Sequence, residues 1–337
     1  AIKLASNENP FGPSPKAIEA VRQSLERVHL YPDSAGYALR KKLAEMHQLE
    51  MSQIILGAGS TELIELAAKT VLSVEDEGIA SESSFLIYQL AIQKTGATLT
   101  LMPLRDHGLD LVRIRQAVTP RTKVIYLANP NNPTGTMFTA SEIDRFIEGL
   151  PAHVLVVLDE AYFDYVERDD YSHSLDYVRE GKNVLVLRTF SKVYGLAGMR
   201  LGYGMGHPEL IESLDRVRMP FNTSRPAQWA ALAALEDRDH VARSVEINRR
   251  ERQFLSEELT LMGVRFTPSV ANFLLIDTGR DCEQDFLKLL QERVIVRPMK
   301  VYNFPTSLRV TIGTREDNEV FLEALGRVMA TPAPAGR

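Results

Sequence analysis

The chain has 337 residues, 45% of them hydrophobic and 25% charged, with a formal net charge of −5. That length can bury a large core in one big domain or two, and the negative charge argues against a nucleic-acid partner. No apolar run is long enough to cross a bilayer, the N-terminus lacks the apolar stretch of a signal peptide, and one cysteine, Cys282, excludes an intramolecular disulfide framework and a cysteine-built zinc site. The expectation is a soluble protein of a reducing, cytoplasmic compartment with no membrane partner.

Apolar runs rich in Val, Ile and Leu predict strands over residues 53–56, 78–80, 98–102, 123–128, 154–158, 184–188 and 200–205. They are apolar almost continuously rather than at alternate positions, which suits strands covered on both faces. Amphipathic stretches lie between them, such as 62–72 and 141–150, with apolar residues three and four apart. This alternation predicts an α/β fold with a mostly parallel seven-stranded sheet flanked by helices, and chemistry in such sheets gathers at the carboxyl ends of the strands. Beyond residue 225 the pattern changes. Helices are expected at 226–235 and 241–262, the second closed by Gly263, then a strand at 272–276 and a helix at 283–293. Strands near 294–296 and 308–311 and a helix over 317–329 complete a smaller α+β unit. The expected division is a large domain over 31–225 and a small one from 1–30 plus 226–330. The tail 331–337, with two prolines and a glycine, is expected to be disordered.

Four segments carry candidate chemistry, each directly after a predicted strand. Leu56-Gly57-Ala58-Gly59-Ser60-Thr61-Glu62 reads as strand, glycine turn and helix start. Free N–H groups at a helix N-terminus suit a phosphate, although Ser60 and Thr61 serve equally as ordinary helix caps. The spacing is neither a dinucleotide fingerprint nor a Walker A loop. Asn129-Pro130-Asn131-Asn132-Pro133-Thr134-Gly135 is a rigid turn whose amides either face a ligand or simply shape the loop. Leu158-Asp159-Glu160-Ala161-Tyr162 sets two carboxylates at a strand end. An aspartate there holds a metal, acts as a base, or pairs with a protonated ring nitrogen. No histidine-rich or second acidic cluster supports the metal, and Tyr162 is as much a core residue as a cofactor contact on spacing alone.

The fourth segment runs Arg188-Thr189-Phe190-Ser191-Lys192 and on to Gly195, Gly198 and Arg200. A lysine at the mouth of a buried strand can be desolvated toward its neutral, nucleophilic form, as bonding to an aldehyde requires. Small residues and an arginine just beyond it suit a bound phosphate. Pyridoxal phosphate offers both groups, whereas most strand-end lysines merely face solvent. One lysine, one aspartate, an asparagine turn, a helix-start phosphate seat and an arginine converge on one strand-end face, and that convergence carries the reading further than any single motif.

With those residues in view, the chain resembles pyridoxal-phosphate-dependent aminotransferases of fold type I, class I and II, and within them the histidinol-phosphate aminotransferases. The match runs from Leu4-Ala5-Ser6-Asn7-Glu8-Asn9-Pro10-Phe11-Gly12 to Leu308-Arg309-Val310-Thr311-Ile312-Gly313-Thr314. It passes through Tyr31-Pro32-Asp33, the asparagine turn, the Asp159 and Lys192 segments, and Val296-Arg297-Pro298-Met299. The resemblance implies that Lys192 carries the cofactor covalently, Asp159 pairs with its ring nitrogen, and Tyr162 and Asn132 bond its phenolic oxygen. It implies further that Ser60, Thr61, Ser191 and Arg200 hold the phosphate and that Phe85 stacks on the ring. Tyr31 matches a tyrosine that reaches the cofactor phosphate of a partner subunit, which implies a homodimer with shared active sites. Arg309 matches the arginine that takes the substrate carboxylate, and Arg297 one near the distal group of the substrate.

The implied reaction moves an amino group between L-histidinol phosphate and 2-oxoglutarate, in histidine biosynthesis. An aromatic amino-acid aminotransferase, a decarboxylase of a phosphorylated amino acid and a cofactor-binding regulator are the alternatives. The last is disfavoured because no segment reads as a helix-turn-helix. Two departures bear on specificity: no arm precedes the Asn-Glu-Asn-Pro segment in this sequence, and Ser83-Ser84-Phe85 stands where the family has Pro-Thr-aromatic.

Overall fold

The structure, a computed structural model, describes residues 1–330; the tail 331–337, and the disorder expected of it, lie outside the described residues. Seven strands form the main sheet: Ile54–Gly57 (β1), Glu77–Ser81 (β2), Thr98–Met102 (β3), Thr122–Ala128 (β4), Leu155–Asp159 (β5), Val184–Thr189 (β6) and Gly202–Met205 (β7). Their spatial order is β1-β7-β6-β5-β4-β2-β3. Strands β6, β5, β4, β2 and β3 pair in parallel, while β7 runs antiparallel to both β1 and β6. The expected sheet is present.

Strands β5 and β6 are buried along their whole length. Val156 and Leu158 of β5 enter one core cluster while Leu155 and Val157 enter another, so each face of the strand meets its own layer. That is the physical source of the unbroken apolar runs, since a strand covered on both sides has no solvent face for polar residues.

Two expectations need correction. Strand β3 is an edge strand with Leu101 exposed, so it is not covered on both faces. Arg200 lies outside β7: it takes a left-handed backbone, φ 54°, at the end of a short 3-10 turn over Ala197–Met199. Helices at Pro15–Ser24, Tyr37–His47, Ile87–Lys94 and Pro208–Val217 were not read from the sequence.

The second sheet holds Arg265–Thr267 (β8), Phe273–Asp277 (β9), Arg297–Pro298 (β10) and Ser307–Thr311 (β11), all antiparallel, in the order β8-β9-β11-β10. The 24-residue helix Arg238–Leu261 links the two cores. Its Val241 and Val245 pack against the main-sheet cluster, and its Leu255 and Leu259 belong to the cluster under the second sheet. Residues Ile2–Lys3 pair in parallel with Val294–Ile295, which brings the N-terminal segment across to β11. The carboxyl ends of β4, β5 and β6 thus open toward β10 and β11, with residues 5–9 between them.

Candidate active site

A cavity of about 390 Å³ sits at that junction. Of the twelve site residues expected from the sequence, Lys192, Asp159, Tyr162, Asn132, Ser60, Thr61, Phe85, Ser191, Arg200, Arg309 and Arg297 line it. Tyr31 does not. It is 78% exposed and stacks on Phe221 with ring centroids 4.5 Å apart, outside this cavity.

Asp159 is the last residue of β5 and is buried. Burial pushes its carboxyl up to about 6, against hydrogen bonds from Tyr88 and the Ala161 amide that favour the anion. The Tyr88 hydroxyl donates to Oδ2 at 2.8 Å and the Ala161 N–H to Oδ1 at 3.1 Å. Lys192 follows β6, and its Nζ donates to the Ser6 carbonyl at 3.3 Å. Burial pulls its ammonium down to about 8, with Arg309 and Arg200 acting in the same direction against Glu8 and Asp159. A sizeable fraction of the amine is therefore neutral near physiological pH.

The asparagine turn divides its labour. Asn129 accepts from the Phe138 amide at 3.0 Å, and Asn131 donates to the Ser83 carbonyl and to Thr134 Oγ1. These two shape the loop. Asn132 alone of the three lines the cavity, and its Oδ1 accepts from Arg309 Nη1 at 2.6 Å. Its amide oxygen being so engaged, its Nδ2 is the group left to donate into the cavity.

Arg309 sits on β11, with Nη2 donating to the Ala5 carbonyl at 2.7 Å and a buried Nε that has no protein partner. Burial lowers its guanidinium from the ordinary value, and Arg297 acts the same way. Arg297 on β10 lies directly opposite Arg309 across the antiparallel ladder. Like charges facing each other across a ladder destabilise a sheet, and an anion between the two guanidiniums would relieve that repulsion.

At the other end of the cavity the helix Ser60–Val71 begins, behind Gly59 at φ 77°. Arg200 donates Nη1–H to Ser191 Oγ at 3.3 Å, and Ser191 Oγ also accepts from Thr189 Oγ1 at 3.0 Å. A methyl group at Gly59 would fall 2.5 Å from Arg200 Nη2, and one at Gly202 2.4 Å from the Ser60 amide nitrogen. Bare backbone at both places leaves a seat lined by a helix N-terminus, the hydroxyls of Ser60, Thr61 and Ser191, and a guanidinium, which suits a phosphate. An amine, a buried carboxylate and a phosphate seat within one cavity fit pyridoxal phosphate.

Several site residues escaped the sequence reading. Tyr88 bonds Asp159, Asn7 donates to the Tyr162 hydroxyl at 2.9 Å, and Tyr302 and Glu8 line the cavity. Tyr88 stands one helical turn beyond Phe85, and that spacing was the only local signal for it. Among the described residues no group of three or more His, Cys, Asp or Glu is arranged to hold a metal.

Fold and cavity together define an aminotransferase: the chain belongs to the family described as aminotransferase class I and II, whose model matches residues 1–325. The enzymes of that family depend on pyridoxal phosphate. The chain is 45% identical over 330 residues to the histidinol-phosphate aminotransferase of Moorella thermoacetica, covering 98% of this chain and 86% of that one. It is 47% identical over 329 residues to the histidinol-phosphate aminotransferase of Anaeromyxobacter sp., covering 97% and 90%. Among solved structures, the histidinol-phosphate aminotransferase of Sinorhizobium meliloti in complex with pyridoxal-5'-phosphate superposes with a TM-score of 0.92. It is 28% identical, over 98% of this chain and 90% of that one.

Proposed function

We propose that this protein is a pyridoxal-phosphate-dependent aminotransferase that moves an amino group between L-histidinol phosphate and 2-oxoglutarate. The observation that carries the substrate class is the facing pair Arg297 and Arg309, two guanidiniums in one cavity with no carboxylate bonded to either among the described residues. Such a pair suits a phosphate dianion in one half of the reaction and a dicarboxylate in the other.

The cofactor, when bound, supplies an aldehyde that takes up the amino group and a protonated ring that accepts the electron pair left by the broken Cα–H bond. Asp159 holds the proton on the ring nitrogen, and its buried position keeps water from competing for that bond. Tyr162 and Asn132 donate to the phenolic oxygen. Ser60, Thr61, Ser191 and Arg200 grip the phosphate, and Phe85 covers the ring. Lys192 would anchor the aldehyde, and its Nζ, when free, would serve as the general base and acid that removes and redelivers the substrate Cα proton. Arg309 takes the glutamate α-carboxylate, and Arg297 the distal anionic group.

Tyr31, solvent-facing and stacked on Phe221, is assigned to the cofactor phosphate of a second copy, so the active unit is a homodimer. Among the described residues no helix is long and apolar enough to cross a membrane. The likeness to biosynthetic aminotransferases supports a cytoplasmic location.

A half-reaction screen tests the substrate. L-histidinol phosphate should bleach the visible band of the loaded enzyme and 2-oxoglutarate should restore it. Bleaching as fast by phenylalanine would make it an aromatic aminotransferase, and CO₂ release without any need for a 2-oxo acid would make it a decarboxylase.

A further inference from the structure

Asn7 lies between the two sheets at the cavity wall. It is 1% exposed and holds a left-handed backbone, φ 55°. Every polar atom of the residue is engaged. Its backbone N–H donates to Thr311 Oγ1 at 2.9 Å, and its carbonyl accepts from Asn272 Nδ2 at 3.0 Å. Thr311 Oγ1, already an acceptor from that amide, donates its own proton to Asn7 Oδ1 at 3.2 Å. The side-chain oxygen is thereby occupied on the Thr311 side, which leaves Nδ2 facing the Tyr162 hydroxyl at 2.9 Å. An amide nitrogen only donates, so the Tyr162 oxygen is the acceptor in that contact. The phenol proton of Tyr162 is then free for a different partner. The ring itself is fixed edge-on against Phe273, centroids 5.1 Å apart at 75°, and the residue lines the cavity.

We propose that Asn7 is a positioning residue that sets the direction of the Tyr162 hydroxyl, turning its proton into the cavity toward the phenolic oxygen of the cofactor. The inference rests on the reading of the cavity as a pyridoxal-phosphate site. Thr311 on β11, Asn7 on the N-terminal segment and Tyr162 after β5 form one relay, so the polarity of a donor at the main sheet is dictated from the second sheet. With Asn7 absent, the Tyr162 hydroxyl loses its one donor partner and has no reason to keep its proton on the cavity side.

A hydrogen bond given to the phenolic oxygen stabilises that oxygen as an anion and lets the nitrogen of the Lys192 linkage lose its proton at lower pH. Losing that bond raises the pH midpoint of the visible absorbance change of the loaded protein. The experiment is a spectral pH titration of wild type, Asn7→Gly, Asn7→Asp, Tyr162→Phe and the two double variants. Glycine keeps the left-handed backbone while removing the donor, and aspartate keeps the shape while reversing the polarity. The quantity read is the midpoint shift caused by each Asn7 variant in the wild-type background minus its shift in the Tyr162→Phe background. That subtraction removes the direct effect of the charge that aspartate adds.

The expected difference is about one pH unit upward for both variants, the size of one hydrogen bond to a charged group. Equal shifts in the two backgrounds, or no shift in either, would overturn the role of Asn7 while leaving the cofactor assignment standing. A wild-type protein that develops no visible band with pyridoxal phosphate would overturn the cofactor assignment itself, and this inference with it. Should the glycine variant fail to fold, the aspartate pair carries the same comparison.

Discussion

Tyr88 touches both Asp159, the carboxylate proposed to pair with the ring nitrogen, and Phe85, the aromatic ring proposed to cover the cofactor face. Its hydroxyl donates to Asp159 Oδ2 at 2.8 Å, its ring sits perpendicular to Phe85 with centroids 5.8 Å apart, and it stacks on Tyr126 at 5.2 Å. The hydrogen bond holds the Asp159 carboxyl down against the upward pull of burial. Tyr88→Phe keeps both ring contacts and removes the donor. The carboxyl should then rise above about 6, moving the acid limb of cofactor binding toward neutral pH. The pyridoxal-phosphate dissociation constant at neutral pH should increase about tenfold, as expected for one lost bond to a charged acceptor. Fluorescence titration at several pH values measures both.

The amine of Lys192, pulled down to about 8, sets a second expectation. Only the neutral form attacks an aldehyde. The rate at which cofactor-free protein captures pyridoxal phosphate should rise about tenfold per pH unit below that value and level off above it. Lys192→Ala should abolish the visible band altogether. Stopped-flow absorbance gives the profile, and a rate flat from pH 6 to pH 9 (about three units of titration) would contradict it.

Gly202 opens β7, and a methyl group there would lie 2.4 Å from the Ser60 amide nitrogen and 2.7 Å from the Gly59 carbonyl carbon. Both are backbone atoms that cannot swing aside. Gly202→Ala should lower stability by about 1–3 kcal/mol through overpacking. It should also weaken binding of pyridoxal phosphate more than that of pyridoxal, which has no phosphate to seat. Gly198→Ala in the preceding turn, where a methyl meets nothing within 4 Å, is the control.

Below the cavity, Arg188 donates from Nε at 3.0 Å and from Nη2 at 2.8 Å to Glu160 Oε2, and its guanidinium carbon sits 3.5 Å from the Phe163 ring centre. The two side chains are 9% and 1% exposed. Glu160→Ala removes the carboxylate bonded to that buried cation and should cost about 3–5 kcal/mol in a urea unfolding curve. Glu160→Gln keeps an acceptor in place and should cost less.

If Tyr31 serves a second copy, two defective variants should complement one another. Tyr31→Ala mixed with Lys192→Ala, unfolded and refolded together, forms dimers in which one cavity has an intact Lys192 and an intact Tyr31 from the other chain. Random pairing restores at most about a quarter of the wild-type activity per mass of protein. No recovery would place Tyr31 outside the shared site.

Strands β4, β5 and β6 were legible because burial on both faces leaves a plain signature: Val184 to Leu187 is unbroken aliphatic sequence. The direction of β7 was not. An apolar run has no sense of orientation, and only pairing with β1 and β6 supplies one. Lys192, Asp159 and Asn132 were legible because each stands at or just past the end of a strand, so local sequence fixes which edge it occupies. Tyr88 and Asn7 act across 71 and 155 residues of chain. No spacing rule reaches that far, so neither contact could be read from local sequence. The division within Asn129–Gly135 was equally hidden, since which amides turn inward depends on Ser83 and Phe138.

The reversal of β7 has a consequence for how a bound coenzyme is moored. A parallel strand in that place would have carried the chain away to the far edge before returning. The antiparallel one starts at the near edge, so Arg200 arrives within nine residues of Ser191, to which it is bonded. On the proposed assignment, both ends of the ligand would be tied to a single short hairpin-like bend, aldehyde to Lys192 and phosphate to Ser191 and Arg200. Detachment at one end would then leave the molecule tethered at the other, so that Lys192 could let go on every turnover without the coenzyme drifting into solution.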